Sequence, residues 1–354
     1  MRTLTEEYDF ELPQELIATH PAAERAASRL LVTTSAKQSW EHHVFSGLPD
    51  LLREGDLMVL NDTKVLPARI LASKTSGGRV EALFLEQQPS GLGLFMLSGG
   101  RLRPGVELLP DHGEFRLRLV EKVAPGRWLI EHDSGGSWSQ FLSVAGRVPL
   151  PPYIRTRRIE CGEAEECSDD RERYQTVWAS SPGAVAAPTA SLHLDQDALV
   201  KLEQRGVELV YLTLHVGEGT FLPVTAEHLE DHPIHAEQFD IPDSTAARLE
   251  DARQSGRRVV VAGTTSCRAV ESFAATGCRR GSTNLFITPG YEFGIAGALL
   301  TNFHTPRSTL LAMVAAFAQH SGAGDGLALV KRVYAAAIAD KYRFYSYGDA
   351  SLWQ

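Results

Sequence analysis

The sequence has little of several features that mark whole classes of protein. Only 4 of its 354 residues are cysteine, far fewer than in the disulfide frameworks of small secreted domains, and a chain of this size does not need disulfides. No apolar run approaches the roughly 20 residues that span a bilayer, and residues 1–7 lack the apolar segment of a signal peptide. We therefore expect a reduced, cytoplasmic protein that does not cross a membrane.

Several short catalytic motifs are absent as well. The sequence contains no P-loop, no Gly-Xaa-Ser-Xaa-Gly nucleophile elbow, no His-Glu-Xaa-Xaa-His zinc motif and no glycine-rich turn of the common methyltransferase type. Gly217-Glu-Gly219 begins like a dinucleotide fingerprint, but the Thr-Phe-Leu-Pro-Val that follows does not predict the required helix. The common nucleotide-binding and hydrolase motifs therefore give no assignment.

The composition is that of an ordinary globular protein, with 43% hydrophobic and 22% charged residues. The 44 acidic and 35 basic side chains give a net charge of −9, yet residues 61–150 carry 11 basic and 9 acidic side chains, a charge of +2. A basic region on an acidic protein is either a surface that faces phosphates or a chance fluctuation of a few charges.

The region 61–150 has the pattern of a small β-domain. Short apolar segments at 79–85, 94–97, 114–120 and 128–131 are separated by glycine and proline, and the third alternates apolar and basic residues. No long helical pattern interrupts them. We predict an antiparallel β-barrel domain over residues 61–150.

The flanking regions alternate strands with helices. Strands are predicted at 56–60, 208–214, 257–262, 284–288 and 298–301, with helices from Asp243/Ser244 to Arg253 and over 267–275 and 308–318. This alternation predicts a parallel α/β sheet or barrel. The fold class is therefore α/β: a distorted (β/α) barrel-like catalytic domain formed by residues 1–60 and 151–354, into which the small antiparallel β-barrel is inserted.

Polar loops follow four of the predicted strands, where α/β proteins gather their working residues. They cover residues 186–193, 213–221, 263–268 and 301–309, and each is rich in Thr, Ser or His. Thr265, Ser266 and Ser308 are also good helix N-caps, so capping alone could explain any single loop. Four loops of one character favour a binding site.

Histidine is a common zinc ligand, so the histidines are candidates for a metal site. His232-Pro-Ile-His235 has a ligand-like spacing, but Pro233 opposes a helix that presents both rings, and no Asp or Cys completes a zinc set. Basic residues beside aromatic rings at 153–158, 171–174 and 341–347 suit single-stranded RNA, or else form a solvated face over core aromatics.

Distinctive motifs occur along nearly the whole chain, among them Asn61-Asp-Thr-Lys-Val-Leu-Pro-Ala-Arg69 and Leu300-Thr-Asn-Phe-His304. Together they lie at 8–13, 28–31, 55–69, 148–154, 172–176, 185–190, 214–217, 219–221, 263–266, 300–304 and 342–349. In this order they resemble the motifs of one family, the S-adenosylmethionine:tRNA ribosyltransferase-isomerases of queuosine biosynthesis.

This resemblance implies an activity. S-adenosylmethionine would act as a ribosyl donor, its ribosyl group moving to 7-aminomethyl-7-deazaguanine at the tRNA wobble position and isomerising, so that epoxyqueuosine-tRNA, adenine and methionine are formed. It also implies an α/β barrel with an inserted β-barrel, no prosthetic group and no metal. The partners are then S-adenosylmethionine and the tRNA anticodon arm, and we expect a monomer.

Such a reaction needs a base near the sulfonium, an acid for the departing adenine, and donors for the ribose hydroxyls. We assign His215 and His193 to proton transfer, with Thr265 as a third catalytic residue. The substrate-binding residues are then Thr189, Thr264, Ser266, Arg268, Asn302, His304 and Arg307, with Arg268 or Arg307 binding the methionine carboxylate.

For tRNA, the expected contacts are basic side chains on phosphates and tyrosines stacked on bases: Arg155, Arg157, Arg158, Arg173, Lys341, Tyr342 and Tyr345. Two other classes stay open. A metal-dependent barrel hydrolase would retain zinc and lose activity to chelators, and a non-catalytic tRNA-binding paralogue would bind tRNA with a steep salt dependence but turn over nothing.

Overall fold

The computed structural model describes residues 3–217 and 224–354 of the chain. Within them the strands are β1 Arg29–Thr34, β2 Ser39–Val44, β3 Leu57–Asn61, β4 Thr63–Val65, β5 Arg69–Lys74, β6 Arg79–Gln87, β7 Gly93–Ser98, β8 Glu107–Pro110, β9 Leu117–Ala124, β10 Arg127–His132, β11 Ser181–Ala184, β12 Glu208–Leu214, β13 Glu237–Asp240, β14 Val259–Ala262, β15 Arg280–Thr283, β16 Ala296–Asn302 and β17 Ala350–Trp353. The α-helices are α1 Leu48–Leu51, α2 Trp138–Ala145, α3 Pro152–Glu160, α4 Asp170–Arg173, α5 Gln196–Gln204, α6 Asp243–Ser255, α7 Thr264–Thr276, α8 Thr309–Ala318 and α9 Gly326–Ala339.

The larger part of the molecule is one mixed sheet of nine strands, in the order β15-β13-β12-β3-β14-β16-β17-β1-β2. Its centre is parallel, through the ladders β12 to β3, β3 to β14 and β14 to β16. Every residue of β3 is buried, and its alternate side chains enter two different apolar clusters, Leu57 and Val59 in one and Met58 and Leu60 in the other. A continuous apolar run is the pattern of a strand covered on both faces.

The predicted parallel pairing is found at the centre of the sheet, whereas β13, β15 and β2 run antiparallel to their neighbours, as β17 does to β16. One strand prediction for this sheet is wrong. The strand expected at 284–288 lies instead at Arg280–Thr283, where a polar segment pairs with β13 at the edge of the sheet. Ile287 belongs to the hydrophobic core, and the partly buried Leu285 and Phe286 pack against it, without joining a strand.

The region between β4 and α3 contains the predicted barrel. Strands β5 to β10 form a closed antiparallel barrel in the order β10-β7-β6-β5-β8-β9. The sequence patterns did not predict α2, whose Ser137 and Gln140 form a capping box at its N-terminus. The indole of Trp138 lies so close to Gly93 that a β-carbon there would approach it to 2.8 Å, so glycine is required at the start of β7.

A cluster of charges joins the barrel to the α/β part. Arg69, at the start of β5, is nearly fully buried and donates to Glu81 (Nε–Oε1, 3.0 Å), Glu165 (2.6 Å) and Glu166 (2.9 Å). Arg155 of α3 adds bonds to Glu81 and Glu165 at 3.1 and 2.8 Å. We call these five residues the junction cluster.

The helix boundaries follow from local chemistry. Helix α6 ends at Gly256 and α7 at Gly277, both in the left-handed conformation that glycine adopts without strain. Ser308 accepts from the backbone N–H of Leu311 at 3.2 Å and caps α8 as predicted. In residues 3–217 and 224–354, no helix combines the length and the apolar content needed to cross a membrane.

Candidate active site

A cavity of about 470 Å³ lies where the central parallel strands end, a volume suited to a small organic ligand. Segments 186–190, 263–265 and 301–306 line it, together with Val216 just beyond β12 and Thr309 and Leu310 from the first turn of α8. Four of the polar loops identified in the sequence therefore meet here. The segments after β12, β14 and β16 converge because carboxyl ends of parallel strands share one edge of a sheet. Segment 186–190 follows β11 of the two-stranded sheet and joins them through a bridge between Ala186 and Val216.

The polar groups of the lining are neutral and lie among apolar ones. Thr189, Thr264, Thr265, Asn302 and His304 are among the residues that face the cavity. None of the lining residues is Arg, Lys, Asp or Glu. The described part of this cavity therefore offers hydroxyls, an amide and an imidazole, without a fixed charge.

Thr189 and Asn302 belong to a buried chain of hydrogen bonds. The Thr189 hydroxyl donates to Asn302 Oδ1 at 2.9 Å, and Asn302 Nδ2 lies 3.3 Å from His193 Nε2. His193 Nδ1 lies 3.0 Å from the Ser28 hydroxyl. His193 does not line the cavity, because Asn302 stands between them, and burial lowers the pKa of His193 to about 4.

His215 lies beside the cavity. It is half-buried, with Nδ1 2.8 Å from the Thr63 hydroxyl, and the next residue, Val216, is part of the lining. Burial lowers the pKa of His215, and the nearby Asp62 carboxylate opposes that shift. The ring packs against the backbone of Gly183, where a β-carbon would lie 2.6 Å from the imidazole.

His304 is the histidine that lines the cavity directly. Its Nε2 is 2.9 Å from the Thr301 hydroxyl, and its backbone N–H donates to the Tyr334 hydroxyl at 3.1 Å. Burial lowers the pKa of His304 to about 3, so the ring is neutral at neutral pH. The geometry suits a fixed hydrogen-bonding group.

The predicted residues at the start of α7 separate into two groups. Thr264 and Thr265 face the cavity, whereas Ser266 is fully buried and donates to the carbonyl of Ala262 at 2.8 Å. Arg268 forms an ion pair with Glu237 and also bonds the carbonyl of Leu285 at 3.2 Å. The structure thus places Ser266 and Arg268 within the fold, away from the lining.

Arg307 lies at the edge of the cavity. It stands between the lining residues Pro306 and Ser308, is exposed, and bonds Asp9 through Nε at 2.8 Å. Its φ of 52° is unusual for a residue other than glycine. Such strain is found where the surrounding structure imposes a backbone conformation.

The seven residues predicted to contact tRNA are not brought to one surface. Arg158 is buried and forms a two-bond pair with Asp170, at 2.6 and 2.9 Å, and Arg155 belongs to the junction cluster. Arg173 donates to the carbonyls of Ala22 and Ala23. These guanidiniums have protein partners, which the sequence patterns could not reveal.

The remaining members of that set differ in exposure. Lys341 is exposed, and Arg157 is partly exposed and pairs with Glu160 at 3.2 Å. Tyr342 is buried, with its ring under the Arg29 guanidinium at 4.1 Å from the centroid. Of the predicted stacking tyrosines, Tyr345 alone lines the cavity.

Two tyrosines form an aromatic wall of the cavity. The rings of Tyr153 and Tyr345 meet edge to face, with centroids 4.8 Å apart. The Tyr153 hydroxyl donates to Ser346 Oγ at 2.6 Å and accepts from the Ser346 backbone N–H at 2.9 Å. Tyr345 has a φ of 71°, so this wall, like Arg307, includes a strained backbone.

Sequence reasoning missed the polar residues at the end of β3 and the start of β4. Asn61 is fully buried, and its side chain bonds the N–H and carbonyl of Leu214 as well as Thr265 Oγ1. Thr63 contacts His215, and Asp62 accepts from the Thr213 hydroxyl at 2.6 Å. A polar Asn-Asp-Thr run directly after a buried strand was the available pattern, and it occurs within one of the family-like stretches.

The described part of the chain contains no candidate metal site. No three His, Cys, Asp or Glu side chains of residues 3–217 and 224–354 form a group that could hold an ion. Burial lowers the pKa of His232, as does its neighbour His235. The Gly219-Thr-Phe221 stretch and part of the 213–221 loop lie outside the described residues.

The fold and cavity together define an α/β protein with an inserted antiparallel barrel and a neutral, ligand-sized site at the carboxyl edge of its sheet. The chain belongs to the queuosine biosynthesis protein family, whose model matches residues 5–353. The resemblance, the fold class and the enzyme class predicted from the sequence are confirmed.

Relatives match over nearly their full length. The S-adenosylmethionine:tRNA ribosyltransferase-isomerase of Rubrobacter xylanophilus is 46% identical over 348 residues, which cover 98% of this chain and 97% of that protein. The protein of the same name from an Anaeromyxobacter species is 45% identical over 354 residues, with 98% and 97% covered. The crystal structure of the S-adenosylmethionine tRNA ribosyltransferase of Thermotoga maritima is 30% identical, with a TM-score of 0.54 over 98% of this chain and 100% of that one.

Proposed function

We propose that the chain binds S-adenosylmethionine in the cavity and transfers its ribosyl group to 7-aminomethyl-7-deazaguanine at the tRNA wobble position. The ribosyl group isomerises to the epoxycyclopentanediol of epoxyqueuosine, and adenine and methionine leave. The observation that carries the proposal is the convergence of the loops after β12, β14 and β16 on a cavity of about 470 Å³, in a chain that matches the family from residue 5 to 353.

The absence of fixed charge in the described lining suits a cationic ligand. A sulfonium would be repelled by lysine or arginine, and neither occurs among the lining residues. The Tyr153 and Tyr345 rings offer π-faces that attract a cation or stack on adenine. Hydroxyls of Thr264 and Thr265 are suited to the ribose oxygens.

For proton removal, His215 is the better supported base. The sulfonium makes the adjacent C–H acidic, and the base must be neutral to accept that proton. Burial lowers the pKa of His215, so its neutral form is present at pH 7, and Thr63 holds Nδ1 at 2.8 Å. His193 is separated from the cavity by Asn302, and we no longer assign proton transfer to it.

We assign fewer residues to substrate binding than the sequence predicted. Thr189, Thr264, Asn302 and His304 remain as substrate-binding residues, and Thr265, predicted as catalytic, is now assigned to substrate binding. Arg307 can exchange Asp9 for the methionine carboxylate, because it lies exposed at the cavity edge. We no longer assign Ser266 and Arg268 to the substrate, since both are engaged within the fold.

For tRNA, Lys341 and Arg157 are the basic side chains best placed to reach phosphates, with Tyr345 stacking on a base. We also propose that the enzyme is a cytoplasmic monomer without a prosthetic group. Light scattering of the purified protein, and metal analysis with a chelator added to the assay, test the last two points.

The direct test combines purified protein, S-adenosylmethionine and tRNA bearing 7-aminomethyl-7-deazaguanine. We expect free adenine by chromatography and an epoxyqueuosine nucleoside by mass spectrometry. His215→Gln should lower the rate at least about a hundredfold, in the range of a lost general base, whereas His235→Gln, at an exposed histidine outside the cavity, serves as the matched control. Folded protein that binds tRNA but releases no adenine would contradict the proposed function.

A further inference from the structure

The buried chain from Ser28 through His193 and Asn302 to Thr189 has a direction, because each link needs one donor and one acceptor. Ser28 and His193 are buried at 3% and 4% exposure, as is Asn302 at 3%. These side chains are shielded from bulk solvent, so each depends on its neighbours in the chain, and an unmatched buried polar atom is costly. The donor or acceptor role of each group in the chain therefore depends on the roles of its neighbours.

Two arrangements satisfy every link. In one, the Asn302 oxygen accepts from Thr189, its amide N–H donates to His193 Nε2, and His193 Nδ1–H donates to Ser28. In the other, the Asn302 amide is rotated by half a turn. Its N–H then donates to Thr189, His193 Nε2–H donates to the Asn302 oxygen, and the Ser28 hydroxyl donates to His193 Nδ1. The orientation found here, with Oδ1 2.9 Å from Thr189 Oγ1 and Nδ2 3.3 Å from His193 Nε2, selects the first.

That arrangement requires His193 to be neutral and to carry its proton on Nδ1. Burial of the ring favours the neutral form. Phe45 packs on the imidazole with a centroid distance of 5.0 Å and supplies no alternative polar partner. The orientation of the Asn302 amide therefore fixes both the tautomer of His193 and the direction of the Thr189 hydroxyl.

A threonine hydroxyl has one proton, and here that proton is directed to Asn302. We propose that Thr189 Oγ1 serves the cavity as a hydrogen-bond acceptor for an N–H or O–H group of the ligand, with this polarity set by Ser28, His193 and Asn302. Ser28 and His193 are positioning residues, since neither touches the cavity. The identity of the ligand rests on the proposed function; the polarity of the chain does not.

The ligand side is tested by calorimetry with S-adenosylhomocysteine and analogues that each lack one group. One set lacks a donor: the 6-deamino, α-deamino, 2′-fluoro and 3′-fluoro compounds. The other lacks an acceptor: the 3-deaza, 7-deaza and decarboxy compounds. We expect the wild type to bind one donor-lacking analogue about three- to tenfold more weakly than the parent.

Thr189→Val should lose the discrimination against that one analogue, and Thr189→Ser, which keeps a hydroxyl, should retain it. If the valine variant instead loses discrimination against an acceptor-lacking analogue, or keeps every preference of the wild type, the proposal is overturned. A merely structural role for Thr189 would weaken binding of all the compounds equally, which also contradicts it.

The protein side is tested by the ring-nitrogen spectrum of ¹⁵N-histidine-labelled protein at pH 7, with His193→Gln used to assign the signals. A neutral ring with the proton on Nδ1 supports the proposal, whereas a proton on Nε2, or on both nitrogens, overturns it. If S-adenosylhomocysteine does not bind the wild type, the proposed function fails, and this spectrum alone decides the polarity.

Discussion

The cavity and the junction cluster use polar residues in opposite ways. The cavity has threonines, an asparagine and a neutral histidine, while the junction cluster packs two guanidiniums against three carboxylates. The charged groups of the junction cluster are paired with one another, so they contribute to the stability of the fold. Hydroxyls at the sheet edge retain bonding capacity for a ligand. Residue type alone therefore does not separate binding groups from structural ones.

The pKa shifts of the three glutamates in the junction cluster depend on the two arginines beside them. Burial alone would raise the pKa of Glu81 and Glu165, yet their bonds to Arg69 and Arg155 lower both values. Burial raises the pKa of Glu166 despite the nearby Arg69. Removing Arg69 would take from Glu166 its partner at 2.9 Å and leave Glu81 and Glu165 with Arg155 alone.

The largest effect is therefore expected from Arg69→Met. This change leaves three partly buried carboxylates without their shared cation, and we expect the free energy of unfolding to fall by about 3–5 kcal/mol. Denaturant unfolding followed by the barrel tryptophans Trp128 and Trp138 measures it. Arg116→Met, which removes an exposed pair with Glu107 on the same barrel, is the control and should cost no more than about 1 kcal/mol. Equal losses in the two variants would remove the distinction between buried cluster and surface pair.

The next effect concerns acid stability. The pKa of His193 is about 4 in the folded protein and about 6.5 in an unfolded chain. Between these values the unfolded state binds more protons, so stability falls as the pH falls from 6.5 to 4 and is fully present above 6.5. His193→Gln should reduce the loss between pH 7 and 4.5 by up to roughly 2–3 kcal/mol. Unfolding curves at a series of pH values that decline equally in both proteins would contradict this.

A smaller effect distinguishes two neighbouring hydroxyls of α7. Thr265→Val removes a hydroxyl that faces the cavity, and we expect the KM for S-adenosylmethionine to rise about tenfold, with Thr265→Ser close to the wild type. Ser266→Ala removes a hydroxyl bonded to the carbonyl of Ala262 at the end of β14 and should lower the melting temperature more than it changes KM. The reverse pattern would return Ser266 to the binding site.

The smallest effect, on tRNA binding, is expected at the surface outside the cavity and the junction cluster. Lys341→Ala should weaken tRNA binding a few-fold and reduce the slope of log K against log salt by about one. Arg158→Lys, at a buried pair, is compared with it; after correction for folded fraction its salt slope should match that of the wild type. A slope that changes only in the buried variant would contradict our choice of tRNA contacts.

How much the sequence predicted depends on the distance between partners. The strand Glu208–Leu214 and the ends of α6 and α7 follow from local patterns, and the loops at 263–265 and 301–306 meet because the parallel strands β14 and β16 share an edge. The partners of Arg69 at 165 and 166 are almost a hundred residues away, and no local pattern joins them. Arginine looks the same in a sequence whether it faces a phosphate or a buried carboxylate.

Local patterns also explain two of the errors. Helix α2 is short and follows two glycines, although its capping box, Ser137 with Gln140, was visible. Strand β15 has the sequence Arg-Gly-Ser-Thr, which has little intrinsic preference for a strand and forms one through pairing with β13.

The position of β17 has a consequence for synthesis of the chain. β17 lies between β16 and β1 in the sheet, and Leu30 pairs with Ala350, so the hairpin of β1 and β2 has no edge to join until some 320 residues more have been made. At about 5–20 residues per second a ribosome needs roughly 15–60 s for that interval. The barrel strands, all within 69–132, can pair long before then. During translation the first hairpin therefore waits as an open strand edge, which makes it the segment most in need of protection by a chaperone.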